Sequence, residues 1–358
     1  MDKHLSYMHR AYDLALKGWG RVSPNPMVGA VLVKSGKVIA EGWHAFCGGP
    51  HAEAMVIAKA GTKAKGADLY VTLEPCAHFG RTPPCTQAIV NAGIKRVFVG
   101  TLDPNSRMNG KSVKLLRKAG IAVEVGFVQE ELTRLNEAFN KYIRTSMPFV
   151  TAKIAQTLDG KTATVTGESK WITSQEARDY GRELRFGFDA ILVGINTVLN
   201  DDPFLNTVPR KPIKKIILDV HLRTPAKAKL FKGTKPADVL IFTASKAKKN
   251  LKATIIQSPV LPVASATGTD RICNSTGGGK VDLKWVMKYL AQHEITNVLI
   301  EGGSQVIANA LKNGLVDKMM VYTAPIVMGD VKKLNQALRL KNTSAGRIGG
   351  DILLEGYL

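Results

Sequence analysis

No run of apolar residues in this sequence approaches the roughly 18 needed to cross a bilayer as a helix, although 45% of its residues are hydrophobic. The N-terminal stretch MDKHLSYMHRAYDLALKGWG has neither an uninterrupted apolar core nor a small-residue cleavage site, so it does not read as a secretory signal. These two absences predict a cytoplasmic protein with no membrane partner. Cysteine is scarce as well. Four in 358 residues do not make a disulfide scaffold, and in a reducing compartment clustered cysteines point to metal binding or catalysis. Cys273 stands alone in a Gly/Thr/Ser-rich stretch and takes no role, and Cys47 reads as a bystander thiol.

Acidic residues are the minority charge: 29 Asp and Glu face 50 Lys and Arg, a net charge of +21. Such a balance admits nucleic acid or acidic small molecules as partners. Residues 1–145 hold 20 basic and 11 acidic side chains and the remainder 30 and 18, so the excess is spread along the chain. Its densest cluster, SKAKKNLK at 245–252, has no aromatic on which a base could stack. It reads as a solvated basic face, compatible with phosphorylated ligands; no nucleic acid partner is expected, and nucleic-acid binding stays the alternative reading of the charge.

A chain of this length suggests two or three domains. Leu5, Met8, Tyr12 and Ala15 carry the apolar spacing of a helix over 4–17. SPNP at 23–26 is a turn, because each proline disfavours helix at the residue before it. MVGAVLVKSGKVIAEGWH gives two β-rich runs about Ser35-Gly36, a hairpin. HAEAMVIAKAG then predicts a helix closed by Gly61, DLYVTL a strand over 68–73, and the segment from Cys85 to Gly93 a second helix. KRVFVG at 95–100 and IAVEVGF are strands on either side of a helix over 111–119, and a long polar helix covers 129–145. Pro148 enters a fresh strand in RTSMPFVTAKIA, which places a boundary near residue 146 and domains at 1–145 and 146–358. The second part repeats the strand–helix rhythm through DAILVGI, KKIILDV, DVLIFT and NVLIEGGSQVIANALKNG, ending in the strand-rich DKMMVYTAPIVMG. A hairpin followed by alternating strands and helices is an α/β layer sandwich with a partly parallel sheet.

His51, Cys76 and Cys85 offer an N,S,S ligand set. Three protein ligands leave a fourth tetrahedral position for water, as a catalytic zinc needs, whereas a closed structural site wants a fourth protein ligand. Zinc lowers the pKa of water to about 7, and Glu53, two residues beyond His51, is placed to shuttle the proton. His51 follows Pro50, and Cys76 follows Pro75 at the end of a strand, so both are expected at helix starts, where free N–H groups favour thiolate. His51-Ala52-Glu53 and Pro75-Cys76 match the H-x-E…P-C-x-x-C zinc deaminase signature, except that eight residues instead of two precede the second cysteine. The enlarged loop carries His78, Arg81 and Pro83-Pro84, and an arginine there suits a phosphate. A zinc-stapled loop without chemistry would have no use for Glu53.

At these residues the chain resembles a known family. PHAEAM, YVTLEPCAHFGRTPPC, SPNPMVGAVLV and DPN at 103–105 are similar to the deaminase half of the bifunctional riboflavin-biosynthesis deaminase/reductase. The long cysteine spacing separates that family from cytidine and tRNA-adenosine deaminases. The resemblance implies a cytidine-deaminase-like α/β/α sandwich with Zn2+ on His51, Cys76 and Cys85 and Glu53 as proton shuttle. The reaction it implies is hydrolytic loss of the 2-amino group from 2,5-diamino-6-ribosylamino-4(3H)-pyrimidinone 5′-phosphate. By similarity, Asn25, His44, His78 and Arg81 hold the substrate. On the residues alone, Asn25 could equally shape its turn and His44 could be a satisfied histidine at a strand end.

Residues 146–358 lack a G-x-G-x-x-G with a following acidic residue, the standard dinucleotide fingerprint. They contain IEGGSQVIANAL at 300–311, where glycines at a strand-to-helix turn either admit a phosphate or simply make the turn tight. AKIAQTLDGK, TGESKWITS and GINTVLNDDPFL resemble the family's reductase half, which implies a dihydrofolate-reductase-like α/β domain and hydride transfer from NADPH, opening the ribosylamino sugar to a ribitylamino chain. The same resemblance assigns Ala155, Trp171, Thr197 and Asp201 to the cofactor, with the turn formed by Gly303, Ser304, Gln305, Val306, Ile307, Ala308 and Asn309. Lys153, Ser169, Arg185, Leu205 and Glu301 are implied as substrate contacts, and a homo-oligomer through this domain is implied as the assembly. The family often has an arginine three residues after the leucine of DDPxL. Here Val208 stands at that place and Arg210 two positions later.

Overall fold

The computed structural model describes residues 3–79, 83–106, 108–162, 172–261, 280–326 and 341–357. Contacts divide the chain into two units, Met1–Met147 and Pro148–Leu358. In the first, α1 (Lys3–Leu16) leads into the hairpin β1 (Gly29–Lys34) and β2 (Lys37–Trp43). Then follow α2 (Ala52–Ala60), β3 (Asp68–Leu73), α3 (Cys85–Asn91), β4 (Arg96–Thr101), α4 (Lys111–Lys118) and β5 (Ala122–Val125). The sheet order is β2-β1-β3-β4-β5. The pairs of β1 with β2 and β3 are antiparallel, and β3, β4 and β5 run parallel. Ser35 and Gly36 both hold positive φ, as a two-residue hairpin turn matched to strand twist requires.

Alternation along these strands sends side chains to two cores. Ala30, Leu32, Leu69, Val71, Val97 and Val99 pack with Val56, Ile89 and Leu116 under α2, α3 and α4. Val31, Val33, Tyr70 and Phe98 point the other way, against Met8, Ala11 and Leu14 of α1 and Leu132. Gly29 lets α1 lie directly on β1, since a Cβ there would sit 2.0 Å from the Ala11 carbonyl oxygen.

The helix expected over 129–145 is two helices, α5 (Gln129–Leu135) and α6 (Glu137–Thr145), broken at Asn136. The cause is a long-range contact: Asn136 Oδ1 accepts from Met27 N at 2.8 Å and its Nδ2 donates to Met27 O at 3.0 Å. Asn136 is 6% exposed. The break ties the end of the unit to the turn that carries Asn25.

The second unit runs β6 (Phe149–Thr157), α7 (Gln175–Leu184), β7 (Ala190–Gly194), α8 (Ile195–Asp201), β8 (Lys214–Leu218), β9 (Val239–Thr243) and β10 (Thr254–Gln257). The short pair β11 (Val260–Leu261) and β12 (Lys280–Val281) precedes α9 (Leu283–Gln292), β13 (Asn297–Glu301), α10 (Ser304–Lys312), β14 (Lys318–Ala324), β15 (Lys341–Ile348) and β16 (Asp351–Tyr357). Its main sheet has the order β10-β9-β8-β7-β13-β6-β14-β16-β15, parallel from β10 to β14 and antiparallel beyond. Strands β6 and β7 are successive in the chain, yet β13 lies between them. Their carboxyl ends with that of β13 therefore form the kind of switch point where open α/β sheets bind ligands. No helix among the described residues is long and apolar enough to cross a membrane.

Candidate active sites

His51 caps the N-terminus of α2 with extended backbone, and Cys85 is the first residue of α3. Cys76 does not begin a helix as expected: it lies in the loop after β3, and the helix start facing it is that of α3. The Cys85 backbone N donates to Cys76 Sγ at 3.2 Å, so a helix terminus still supports the thiolate, through space.

The His51, Cys76 and Cys85 donor atoms lie within 4.8 Å of one another. His51 Nδ1 is 3.1 Å from Cys85 Sγ and 3.5 Å from Cys76 Sγ. Bonds of about 2.0–2.3 Å from a tetrahedral zinc imply edges of roughly 3.5–3.8 Å, so the two edges from His51 need only slight expansion to hold the ion. Hydrogen bonding from Cys85, with smaller help from His51, holds Cys76 down to about 4. That same hydrogen bond, with burial, pushes Cys85 up. One sulfur thus favours the thiolate and the other the thiol, and a dication bound here would displace the remaining proton. Among the described residues this is the one cluster of its kind. Glu53, in the first turn of α2, is 3% exposed, and burial raises its carboxyl above the ordinary range. A raised carboxyl holds a proton more readily than an ordinary one, which suits a general acid/base.

Behind Cys76 stands a residue that sequence reasoning did not single out. Glu74, 5% exposed, accepts from Asp103 N at 3.1 Å and Gly110 N at 2.9 Å through Oε2, and from Ser112 N at 3.0 Å through Oε1. It caps α4 from across the fold and clamps the loop that presents Cys76. Its presence in LEPC was the only signal. Glu74→Gln replaces one acceptor oxygen by an amide donor facing backbone N–H groups. Zinc affinity should fall by about 10- to 100-fold, as when a metal site loses the groups that orient its ligands. Competition with a chromophoric chelator measures it, and an unchanged zinc dissociation constant would exclude the clamp.

His44 is 2% exposed. Its Nδ1 lies 3.0 Å from Pro50 O, which only accepts, so the proton is on Nδ1 and Nε2 accepts from Asn25 Nδ2 at 3.1 Å. Burial lowers its pKa, and the neighbouring His51 adds to this. His44 thereby orients Asn25 and fixes the carbonyl preceding His51. His78 is exposed beyond Cys76, and Arg81 lies outside the described residues. Asp103, raised by burial, faces the charges of Glu74, His78 and Cys76.

In the second unit, Lys153 of β6 and Glu301 of β13 are register partners. Glu301 receives Arg185 Nε at 3.0 and 3.1 Å and its terminal nitrogen at 2.6 Å, with both side chains largely buried at 17% and 12% exposure. Arg185 also donates to Asn206 O at 3.1 Å. Burial alone would raise Glu301, but the charge and hydrogen bonds of Arg185, with Lys153, bring it below the ordinary carboxylate range. Burial lowers Lys153, whose ammonium lies 4.9 Å from the Tyr322 ring centroid.

At the end of β13, Gly302 and Gly303 both have positive φ, and a Cβ on Gly302 would meet Thr197 Oγ1 at 3.0 Å. The turn is exposed, α10 starts directly after it, and Thr197 of α8 lines it. This bare-backbone cradle fits the phosphates of a dinucleotide. Of the cradle residues, Ser304, Gln305 and Ala308 are exposed, Val306 and Asn309 half-buried, and Ile307 buried in the helix's packing face. Ala155 packs beside Tyr322. Asp201 ends α8, and Leu205 is buried with φ 52. Ser169 and Trp171, with Cys273, lie outside the described residues. Arg210 is exposed and donates to Gly233 O at 2.8 Å.

Known proteins match both units. The family model of the cytidine and deoxycytidylate deaminase zinc-binding region matches residues 1–101, and that of the RibD C-terminal domain residues 148–354. The riboflavin biosynthesis protein RibD of Aquifex aeolicus is 44% identical, over 99% of this chain and 98% of its own. That of Escherichia coli is 36% identical, over 97% of each. The crystal structure of a diaminohydroxyphosphoribosylaminopyrimidine deaminase/5-amino-6-(5-phosphoribosylamino)uracil reductase from Thermotoga maritima is 35% identical, with a TM-score of 0.85 over 99% of this chain and 98% of that one. Fold and sites together define a two-part enzyme, a cytidine-deaminase-like zinc unit followed by a reductase unit of dihydrofolate-reductase-like fold. The chain belongs to the RibD family of bifunctional riboflavin-biosynthesis enzymes, which use zinc for deamination and NADPH for reduction.

Proposed function

We propose that the chain performs two consecutive reactions on one phosphorylated pyrimidine. Residues 1–145 hydrolyse the 2-amino group of 2,5-diamino-6-ribosylamino-4(3H)-pyrimidinone 5′-phosphate, and residues 146–358 reduce the ribosyl group of the product to ribityl. The observation that carries this reading is one chain holding both a His51, Cys76, Cys85 cluster beside buried Glu53 and a half-buried Lys153, Glu301, Arg185 group gathered about the carboxyl end of β13.

In the first reaction water replaces the amine and ammonia leaves. Zinc on His51, Cys76 and Cys85 supplies Lewis acidity and water of lowered pKa. Glu53 takes the proton from the attacking water and returns it to the departing nitrogen, a role its raised pKa suits. Asn25, oriented by His44, holds the pyrimidine, with His78 and Arg81 toward the phosphoribosyl tail. In the second reaction NADPH, when bound, would supply a hydride for the sugar carbon. The ring C–O bond breaks, and Lys153, whose lowered pKa favours release, gives a proton to the freed oxygen. Arg185, Glu301, Leu205 and Ser169 hold the substrate. Ala155, Trp171, Thr197, Asp201 and the turn from Gly303 to Asn309 hold the cofactor. The enzyme works in the cytoplasm as a homo-oligomer through its second unit, without a nucleic acid or membrane partner.

The test is a coupled assay of zinc-loaded protein with the diaminopyrimidinone phosphate. Ammonia should appear without NADPH, and NADPH should be consumed only after deamination. Absence of both signals, with strongly salt-dependent RNA or DNA binding instead, would favour a nucleic-acid deaminase.

A further inference from the structure

We infer that Lys215 is a positioning residue of the reductase site, tying the Phe204–Asn206 segment to the Leu230–Thr234 turn so that Asn206 presents its carbonyl to Arg185. The inference rests on the reading of Arg185, Leu205 and Glu301 as substrate contacts. Lys215 lies on β8, and its register partners are Ile191 and Val239, both fully buried members of the apolar core. An ammonium in that layer is costly unless its donors are matched. Lys215 is 1% exposed, and its Nζ contacts Phe204 O at 2.6 Å, Asn206 Oδ1 at 3.0 Å, Leu230 O at 2.8 Å and Thr234 Oγ1 at 2.8 Å. Three N–H donors thus serve four acceptors, two on each segment.

The segment it grips needs gripping. Leu205 is buried at φ 52, a left-handed conformation leucine seldom adopts. The next residue, Asn206, gives its side-chain oxygen to Lys215 and its main-chain oxygen to Arg185, whose remaining hydrogen bonds go to Glu301. One chain of bonds therefore runs from Lys215 through Asn206 to Arg185 and Glu301. An apolar residue at 215 would fill the layer without the desolvation cost of a charge, and would leave Phe204–Asn206 without its anchor.

The experiment compares Lys215→Met and Lys215→Arg in the full chain, measuring kcat and KM of the reductase, NADPH binding by fluorescence together with the melting transition as the folding control of the second unit, and deamination as the control of the first. Lys215→Met should raise KM for the pyrimidine ~10- to 100-fold, the effect of a small misplacement of binding groups, with NADPH binding and deamination little changed. Lys215→Arg should recover most of the loss. Asn206→Ala should reproduce part of it, and Thr234→Val, which leaves the Leu230 O contact to hold the far segment, a smaller part. An unchanged KM in Lys215→Met, or equal losses of substrate and NADPH binding, would overturn the inference. If Lys215→Met does not fold, a raised KM in Asn206→Ala with NADPH binding kept supports the inference, and an unchanged KM in both Asn206→Ala and Thr234→Val overturns it. A wild-type protein that oxidises no NADPH with the deaminated pyrimidine would overturn both the inference and the reductase reading beneath it.

Discussion

Glu53→Gln is expected to lower the deamination rate by about 10²–10⁴-fold, the range a positioned general acid/base supplies, while the protein retains one zinc per chain. The carboxylate stands two residues from His51 in the first turn of α2 and is 3% exposed. Gln keeps its size and one acceptor but cannot carry a proton between water and amine. His51, Cys76 and Cys85 are untouched, so metal analysis and the ammonia assay should part company. Loss of zinc together with activity would make Glu53 a support of the ligand shell instead of a shuttle, and near-normal deamination would remove it from the reaction. Stability supplies a second reading. Burial raises the folded-state pKa of Glu53 above its unfolded value, so in metal-free protein ionisation of this group favours unfolding at pH above the unfolded pKa, and the penalty grows until the folded pKa is passed. Glu53→Gln should therefore stabilise metal-free protein at neutral pH, and the gain should vanish as pH falls below the unfolded value.

The strands and helices of the first unit were legible because their apolar residues keep period two or the helical spacing, and Gly36 and Gly61 mark ends that demand positive φ. The three metal donors were legible too, since H-x-E and P-C hold their spacing in the chain. Asn136 and Glu74 were not. Each acts by side-chain hydrogen bonds to backbone far along the sequence, 109 residues away for Asn136 with Met27 and 36 for Glu74 with Gly110, and such pairings leave no local pattern. Cys76 was expected at a helix start because Pro75 precedes it. The terminus that reaches it belongs to α3, brought up by the fold. Strand β15, KNTSAGRI, is exposed at seven of its eight positions, so it carries no apolar alternation to read. Lys215 sits beside Lys214 in a strand where a second lysine looks like surface. Only its neighbours Ile191 and Val239 reveal that it faces the core.

Arg185→Met is expected to destabilise the second unit by about 3–5 kcal/mol, because removing one partner of a buried pair leaves the other charge uncompensated. For a unit of this size that corresponds to a fall of roughly 10 °C in its melting temperature. Reduction should be lost, while deamination below the new transition persists. The reason lies in geometry: Arg185 meets Glu301 through three contacts of 2.6–3.1 Å in a site where the side chains are 17% and 12% exposed. The double variant Arg185→Met/Glu301→Met removes both charges and should regain most of the stability but none of the reduction, which separates folding from function in one comparison. Acid provides an independent check. In the native unit the pair lowers the folded pKa of Glu301, so its contribution is present above the ordinary carboxylate pKa and is lost as pH falls through the folded value. Without Arg185, only Lys153 opposes the burial that raises Glu301, and the variant is penalised for charge at neutral pH and relieved of it in acid. The stability gap between wild type and Arg185→Met should therefore narrow on acidification. A gap that holds constant from neutral to acid pH would mean that Arg185 acts through packing alone, and that Glu301 does not depend on it for its charge.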